Sequence, residues 1–366
     1  MRALPLLKTI GLSFVLVTAV VTFQSSRLNA ESSGSGFVYV MSNKSPSNSV
    51  IQYARASDGS LKWLREVSTR GRGTGPNGAD PLGSQDSLIM SGDGQFLLAV
   101  NAGSNEVSVL GANGGNLVWV SKTRSGGDFP NSVTLSGDLV YVLNSKGGTP
   151  NVTGFRLDVN GTLHWLVTVP LPAGSAGAND IRFAPDGSEL LLTVSGTNQI
   201  LVFPVAANGV ASTAVPQVSA GAKPFGIRWG HDEVVLVSEA AGSLSSYQPT
   251  GADMLNTISG AVADTQAASC WISVPRDGKF AFISNTGSGT LSSFAIDANG
   301  NATLLAAVAA NPGNTPIDSA LSSDGKFLYI EDSAQGKVLI FRVNGGAMTQ
   351  IGTVPVSAGI QGIAAE

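Results

Sequence analysis

Short apolar runs of four to six residues recur along the chain, and turns rich in Gly, Asp and Asn separate them. In residues 84–122 four such runs follow one another, at residues 87–90, 96–100, 106–110 and 117–120. The linking sequences SGDG, AGSN and ANGG are typical of tight turns, because Gly readily adopts the positive φ that such turns need. Four short strands joined in this way form one blade of a β-propeller. Residues 84–122 therefore predict one blade.

The same unit returns at a fixed period. Its clearest marker is an aspartate in the turn between the first and second strands, which recurs at Asp93, Asp138, Asp186, Asp232, Asp277 and Asp324. The steps of 45 to 48 residues are typical of propeller repeats. Residues 37–366 hold about seven such units. The sequence therefore predicts an all-β fold, a seven-bladed β-propeller with four-stranded blades.

One of the seven units is divided between the two ends of the chain. Three strands, at residues 37–42, 50–55 and 61–67, have no first strand before them, and the run IQGIA at residues 360–364 stands alone at the end. Pairing the C-terminal strand with the N-terminal blade would close the ring and remove its open edges.

The first thirty residues have the pattern of a secretory signal peptide. Arg2 and Lys8 precede an apolar run at residues 10–21, and Ala30 offers a small residue for cleavage. The run is short for a bilayer span, so an uncleaved membrane anchor is the less favoured alternative. We expect a signal peptide at 1–30, a short linker at 31–36 and a single propeller domain at 37–366. The mature protein would be periplasmic or extracellular and would have no transmembrane segment.

The net charge limits the classes of ligand that the protein can bind, and the cysteine count limits the disulfides that it can form. The net charge is −4 without a basic stripe, which argues against nucleic acid. Cys270 is the one cysteine, so no intramolecular disulfide is expected, and burial is its predicted state. His164 and His231 are the only histidines and lie outside the first strands, so we expect no metal and no cofactor. The expected state is a monomer.

The first strand of each blade lines the central channel of a propeller, so the residues that begin these strands surround one channel mouth. Alignment of the turns places them in two columns. The first column is Asp86, Asn131, Asn179, Phe225, Cys270, Ile317 and Gln361, and the second is Ser87, Ser132, Asp180, Gly226, Trp271, Asp318 and Gly362. Side chains alternate along a strand, so one column faces the channel and the other leans toward a neighbouring blade; the sequence leaves open which does which.

The mouth is rich in polar side chains, which is consistent with a small ligand pocket or with a wet channel. Arg182 and Arg228 occupy the same position of successive first strands and could bind a carboxylate or phosphate, or pair with an acid such as Asp180. The predicted substrate-binding residues are Gln85, Asp86, Asn131, Asn179, Arg182, Arg228 and Gln361. Three tryptophans lie on fourth strands, where packing in the core or between blades is expected; they are Trp63, Trp119 and Trp165.

The repeats GDGQFLLAVNAGSNEVSVL, PRDGKFAFISNTGSGTLSSFAID and SSDGKFLYIEDSAQGKVLIFRV resemble the seven-bladed lactonase-type propellers. These include 6-phosphogluconolactonase and 3-carboxymuconate cyclase-like proteins, and the resemblance covers residues 37–366. It implies hydrolysis or formation of a lactone at the channel mouth. Members of the family carry a Pro-His pair where one inner strand begins, and the matching pair here is Pro130-Asn131. An asparagine cannot act as a general base near neutral pH.

Two functional hypotheses follow from these features. The first is an exported lactonase-like hydrolase with Asp180 or Asp318 as the base, Arg182 or Arg228 as the anion binder, and a lactone or sugar acid as ligand. The second is an exported ligand-binding or scaffold propeller without catalysis, which the missing histidine and the export signal favour.

Overall fold

Strands begin and end where apolar runs give way to Gly-rich turns. The computed structural model describes residue 1 and residues 36–251 and 253–366. Blade 1 consists of β28 (Ile363–Ala365), β1 (Gly36–Met41), β2 (Ser49–Arg55) and β3 (Leu61–Ser68), and blade 2 of β4 (Leu88–Met90), β5 (Phe96–Asn101), β6 (Glu106–Gly111) and β7 (Val118–Arg124). Blade 3 consists of β8 (Asp128–Ser136), β9 (Leu139–Lys146), β10 (Asn151–Leu157) and β11 (Leu163–Pro170).

The remaining four blades follow the same order. Blade 4 consists of β12 (Ala178–Phe183), β13 (Glu189–Val194), β14 (Gln199–Pro204) and β15 (Val215–Val218), and blade 5 of β16 (Pro224–Trp229), β17 (Val235–Glu239), β18 (Ser243–Thr250) and β19 (Met254–Ala263). Blade 6 consists of β20 (Ser269–Ser273), β21 (Phe280–Asn285), β22 (Thr290–Ile296) and β23 (Ala302–Ala310), and blade 7 of β24 (Pro316–Leu321), β25 (Phe327–Asp332), β26 (Lys337–Asn344) and β27 (Ala347–Pro355). Short 3₁₀ turns at Asn113–Gly115 and His231–Glu233 are the only helical elements in the described residues.

The seven sheets confirm the predicted all-β, seven-bladed propeller with four antiparallel strands in each blade. The ring closes as expected, because β28 pairs with β1 in the register Val38↔Ala365 to Val40↔Ile363. The Glu366 amide donates to the Phe37 carbonyl at 2.9 Å, which extends this ladder to the last residue. Residues 36 and 366, the two ends of the propeller, are therefore both built into blade 1.

The repeated aspartate stabilises the turn between first and second strands. In blade 2, Asp93 Oδ1 accepts hydrogen bonds from the Ser91 hydroxyl at 2.6 Å and the Gln95 amide at 3.0 Å. Asp186, Asp277 and Asp324 accept in the same way from the amide two residues later. Such side-chain bonds mimic a backbone turn, which explains why aspartate marks this position.

The core lies between neighbouring blades. Second and third strands bury both faces, as the successive residues Leu328 and Tyr329 in blade 7 illustrate with at most 1% of their surface exposed. These strands read as nearly continuous apolar runs because each face packs against another sheet. Cys270 is buried as predicted, and burial raises the pKa of its thiol.

The expectation that the fourth-strand tryptophans pack inward is wrong for two of them. Trp63 and Trp165 keep 59% and 67% of their surface exposed, whereas Trp119 is half-buried beneath the Arg70 guanidinium, 3.7 Å from the ring centroid. Each ring lies beside a break in the strand register, between Gln52/Tyr53, Val109/Leu110 and Gly154/Phe155 on the third strands. A bulge bends the outer strand and re-aims its side chains, which periodicity alone does not show.

The predicted signal peptide and most of the linker lie outside the described residues; Gly36, the last residue of the predicted linker, begins β1. No helix in the described part of the chain has the length and hydrophobicity needed to cross a membrane.

Candidate functional site

Residues 82–86, which we call the plug segment, cross the channel at the mouth where the first strands begin. Trp271 Nε1 donates to the Ser84 carbonyl at 2.8 Å from blade 6, while Asn179 Nδ2 donates to the Gly83 carbonyl at 2.7 Å from blade 4. Gln361, on the C-terminal segment that enters blade 1, donates through Nε2 to the Ser84 carbonyl at 2.7 Å. Because these partners come from different sides of the ring, the segment spans the channel axis.

Gln85 and Gln361 hold the plug segment in place through side-chain hydrogen bonds. Gln85 Nε2 donates to the Ile272 carbonyl at 2.8 Å, and its Oε1 accepts from the Ile272 amide at 3.2 Å. Gln361 Oε1 accepts from the Leu82 amide at 2.7 Å. Both glutamines are fully buried, so these amides satisfy backbone groups that water cannot reach. The structure thus places both predicted substrate-binding residues in contacts within the protein.

In blades 3 and 4 the first-column residue faces the plug segment and the second-column residue leans toward the next blade, whereas in blade 6 the second-column Trp271 reaches the plug segment. Five first strands break register at the first-column residue, between Pro130/Ser132, Ala178/Asp180, Pro224/Ile227, Ser269/Trp271 and Pro316/Ser319. The bulge turns Asn131 and Asn179 toward the plug segment. In the second column, Ser132 Oγ accepts from the Ile181 amide of the following blade at 3.2 Å.

Asp86, the last residue of the plug segment, forms an ion cluster with Arg182 and Arg228 among the first strands. Arg228 binds Asp86 through two parallel hydrogen bonds, Nη1 to Oδ2 at 3.0 Å and Nη2 to Oδ1 at 2.9 Å. Arg182 Nη2 also donates to Asp86 Oδ2. The two guanidinium groups hold the pKa of Asp86 below its usual range despite its burial. The predicted alternative, in which the arginines pair with Asp180 or another channel acid, is the observed arrangement: both arginines bind Asp86, and Arg228 also pairs with Asp180.

Asp180 is the fourth member of this ion cluster. Its Oδ2 accepts from the Ile227 amide at 2.8 Å and lies 3.7 Å from Arg228 Nη1, while Oδ1 accepts from the Ser132 hydroxyl at 3.2 Å. The side chain is fully buried. Burial and the neighbouring Asp86 charge raise the pKa of Asp180 to about 7. The second predicted catalytic acid lies farther round the ring.

Asp318 faces Glu331 of the adjacent strand β25 in the register break of blade 7. Asp318 Oδ1 accepts from the Ser319 amide at 2.9 Å, and Glu331 Oε2 accepts from the Gly362 amide at 3.0 Å. Their other oxygens, Asp318 Oδ2 and Glu331 Oε1, find no hydrogen-bond partner among the described residues. Burial raises the pKa of both carboxyl groups well above the usual range.

On the outer side of the plug segment lies a cavity of about 400 Å³, which we call the mouth cavity. Its lining comes from the inter-blade loop before β4, from β8 and β9 of blade 3, and from β12 of blade 4 with the loop before it. Lining residues include Asp80, Leu82, Asn131, Lys146 and Asn179. The structure therefore brings Asn131 and Asn179 together at the mouth, as predicted, and adds a carboxylate and an ammonium group.

Asp80 is the acid of the mouth cavity and was not singled out from the sequence. Its Oδ1 accepts from the Gly83 amide at 2.8 Å and from Gln361 Nε2 at 2.7 Å. Burial raises the pKa of this carboxyl group to about 6, although the hydrogen bonds oppose the rise. The available signal was loop length, since residues 69–87 form a long connection between blades and long loops commonly carry function.

Lys146 and Asn131 supply the other polar groups of the mouth cavity. The Lys146 ammonium lies 3.4 Å from the centroid of the Phe129 ring, a cation–π contact that orients it. Asn131 Nδ2 donates to the Ala178 carbonyl at 3.1 Å, and its Oδ1 has no hydrogen-bond partner within the described structure. The two histidines lie elsewhere, on β11 and in a 3₁₀ turn. No group of three or more metal-ligating side chains occurs in residues 36–251 and 253–366.

The sequence matches the family profile described as "Lactonase, 7-bladed beta-propeller" over residues 32–175 and 233–360. The chain belongs to this lactonase family. The match confirms the resemblance carried by the blade repeats. No curated protein matches the chain.

Solved structures of lactonase-type propellers share the fold. A candidate 6-phosphogluconolactonase of Bacteroides fragilis is 21% identical with a TM-score of 0.71, covering 90% of this chain and 97% of its own. The periplasmic gluconolactonase PpgL of Pseudomonas aeruginosa is 18% identical with a TM-score of 0.70, covering 89% of this chain and 98% of its own. At this identity the likeness shows the fold alone, so function must be argued from the site.

Proposed function

We propose that this lactonase-family propeller is an exported hydrolase that opens a lactone ring in the mouth cavity, with Asp80 as the general base. The observation that carries the proposal is a partly buried carboxyl group with a pKa of about 6 in a cavity at the channel mouth. A general base works best when its pKa lies near the operating pH. Export is supported by the sequence pattern of residues 1–30.

The chemistry is a single hydrolytic step. A water oxygen attacks the lactone carbonyl carbon while Asp80 takes a proton from that water. The bond between the carbonyl carbon and the ring oxygen then breaks, and the ring oxygen takes the proton held by Asp80, which restores the Asp80 carboxylate. The product is a hydroxy acid, which ionises at neutral pH and releases one proton to solution.

Lys146 is assigned to stabilise negative charge during this step. It is the one cation among the described residues that line the mouth cavity. An ammonium group in such a position favours the developing oxyanion and attracts an acidic substrate. Asn131 and Asn179 also line the cavity, but Asn131 Oδ1 is closed off from solvent and Asn179 Nδ2 donates to the Gly83 carbonyl, so neither is assigned a contact with the reacting group. A second cavity of about 680 Å³ shares Ser145, Lys146 and Ala176, so a sugar lactone with a substituent has room.

The catalytic role of Asp180 and Asp318 stays a prediction. Both carboxyl groups are at most 2% exposed and lie among the first strands beneath the plug segment. Asp180 is bound to the Ile227 amide, close to Arg228. A buried charge cluster of this kind often orders a fold rather than performing chemistry. We therefore favour Asp80 and treat the two buried acids as the competing assignment.

The second candidate function is an exported ligand-binding propeller without catalysis. Asn131 occupies the position that the family resemblance gives to histidine, and its amide donates to carbonyls of the plug segment and of Ala178. A mouth cavity without a competent base would still bind a sugar acid through Lys146.

Proton release from a panel of neutral and acidic sugar lactones tests these assignments. We expect Asp80→Asn to lower kcat by about 10²- to 10⁴-fold, the usual contribution of a general base. Asp180→Asn and Asp318→Asn address the buried acids, and Asp186→Asn, in an exposed turn, is the matched control. Full activity in Asp80→Asn with loss in Asp180→Asn or Asp318→Asn would move the base below the plug segment. No turnover by the wild-type protein would favour the binding function.

A further inference from the structure

Trp63, Trp119 and Trp165, which we call the tryptophan row, occupy equivalent positions on the outer strands of three consecutive blades. Each pairs with the third-strand residue next to the register break, namely Tyr53, Leu110 and Phe155. The corresponding positions of blades 5, 6 and 7 hold Thr257, Leu304 and Gln350. Three of the five tryptophans of the chain therefore lie along one sector of the rim.

The exposure of Trp63 and Trp165 indicates a binding surface. Tryptophan is highly buried on average, yet Trp63 and Trp165 expose more than half of their surface. Trp165 Nε1 donates to Thr168 Oγ1 at 3.2 Å, and Trp119 Nε1 donates to the Thr69 carbonyl at 3.1 Å. Two of the three indoles are thus held in place by their own polar atom, which lowers the entropy cost of stacking a ligand on them.

Contacts between neighbouring blades fix the sector. Arg65 Nη1 of blade 1 donates to Asn116 Oδ1 before β7 at 2.8 Å. The Ser121 hydroxyl of blade 2 donates to the Gly161 carbonyl before β11 at 2.6 Å. The three outer strands therefore form one connected surface.

The charge of this surface indicates the ligand. Strands β3, β7 and β11 carry four cationic side chains, Lys62, Arg65, Lys122 and Arg124, and one carboxylate, Glu66. Strands β15, β19, β23 and β27 carry no Lys, Arg, Asp or Glu in their described residues. Lys122 pairs with Glu106 at 2.9 Å, and Glu66 pairs with Lys44 at 2.8 Å. Lys62, Arg65 and Arg124 form no ion pair among the described residues, so the sector is cationic in a protein of net charge −4.

We propose that the tryptophan row binds an acidic polysaccharide chain along the rim. The apolar C–H faces of pyranose rings would stack on Trp63 and Trp165, which are more than half exposed, whereas the ring of Trp119 is already covered by the Arg70 guanidinium. The carboxylates of the polysaccharide would pair with Arg70 and with the flanking lysine and arginine side chains. A polymer fits this surface because the rings are spread over three blades. The surface is separate from the mouth cavity and its binding does not depend on the proposed hydrolysis.

The test measures the affinity of the purified full chain for polygalacturonate by calorimetry, with neutral dextran as the comparison. We expect binding to polygalacturonate that weakens as salt rises, and little binding to dextran. Trp63→Ala together with Trp165→Ala should weaken binding at least about tenfold, as the loss of two aromatic contacts implies. The single change Trp165→Gln should give a smaller loss if the double variant folds poorly.

Val218→Ala is the matched control, because Val218 is 78% exposed on the outer strand of blade 4. It should leave affinity unchanged. The proposal is overturned if the wild-type protein does not bind polygalacturonate, if it binds dextran equally, or if Trp165→Gln and the double variant both bind normally. Binding only to an oligonucleotide or to anionic vesicles would assign another ligand. A dimer that dissociates on Trp165→Gln would assign the row to a second copy of the chain.

Discussion

Replacement of Asp80 by asparagine should make the protein more stable at neutral pH and leave its stability unchanged in acid. Burial raises the pKa of the Asp80 carboxyl group from its ordinary value of 3.8 to about 6. The folded state therefore binds this proton more tightly than the unfolded state. Below pH 3.8 the group is protonated in both states and costs nothing. As the pH rises from 3.8 through 6, the folded protein loses stability because it must accept a buried carboxylate.

The size of the effect follows from the pKa. The rise from 3.8 to about 6 corresponds to about 3 kcal/mol, since each tenfold change in an acid constant is worth about 1.4 kcal/mol. Asp80 as a residue is only half-buried, and screening by water reduces the figure to ~1.5 kcal/mol. For a domain of this size that difference raises the Tm of Asp80→Asn by about 2 °C at pH 7.5. Asparagine keeps Oδ1 for the Gly83 and Gln361 hydrogen bonds.

The assay is the Tm difference between variant and wild type at pH 4.0 and pH 7.5. The nearby Cys270 thiol, whose pKa burial raises, stays protonated throughout. Asp93→Asn is the control of opposite sign, because hydrogen bonds from Ser91 and Gln95 lower the pKa of Asp93 and its contribution is present at neutral pH. A Tm difference for Asp80→Asn that is the same at both pH values, or negative at pH 7.5, would refute the reasoning.

Three further predictions concern the plug segment, the ion cluster and the ring closure, each measured by chemical denaturation. Gln85→Ala should lower the free energy of unfolding by about 2 to 4 kcal/mol, because it leaves a backbone amide and carbonyl of blade 6 buried and unpaired; an unchanged value would mean that water replaces the side chain. Asp86→Asn should lower the free energy of unfolding by about 1.5 to 3 kcal/mol, because Arg182 and Arg228 lose the carboxylate that they share, although Arg182 is partly exposed and Asp180 remains 3.7 Å from Arg228. Because the Asp86 pKa is lowered, that loss should persist at pH 5 and shrink only as the pH falls below its ordinary value; a loss that vanishes at pH 6 would contradict the assignment. Removal of residues 360–366 should lower the free energy of unfolding by at least about 5 kcal/mol, because two buried isoleucines are deleted together with the closing strand. Near-normal stability of the shortened chain would show that the ring tolerates a three-stranded blade.

The fold could be predicted because every blade repeats the same local information. The turn aspartates fix the period, and the divided unit fixes the closure, so residues 317–354 and 360–364 already indicate how the ring ends. The sequence could not choose which column faces the channel, because a bulge at Asn131 or Asn179 breaks the two-residue alternation on which such arguments depend.

The candidate site was predicted only in part for a related physical reason. Position along a first strand correctly placed Asn131 and Asn179 at the mouth. The role of Asp80 depends on how a long loop folds back across the ring, and no repeat constrains residues 70–83. The same loop leads into the plug segment, which explains why Gln85 and Gln361 became internal contacts.

The closeness of residues 36 and 366, the two ends of the propeller, makes it a candidate for circular permutation. The Glu366 amide bonds to Phe37, and Arg55 Nε donates to the Glu366 carbonyl at 3.0 Å, so residues 36 and 366 are neighbours in space. A short linker could join them, and new ends could be opened in the exposed turn before Ser188 without removing any strand. The break in the covalent chain within the ring would then lie in blade 4 instead of blade 1. Such a rearranged chain would separate the contribution of chain order from that of the closed circle of blades.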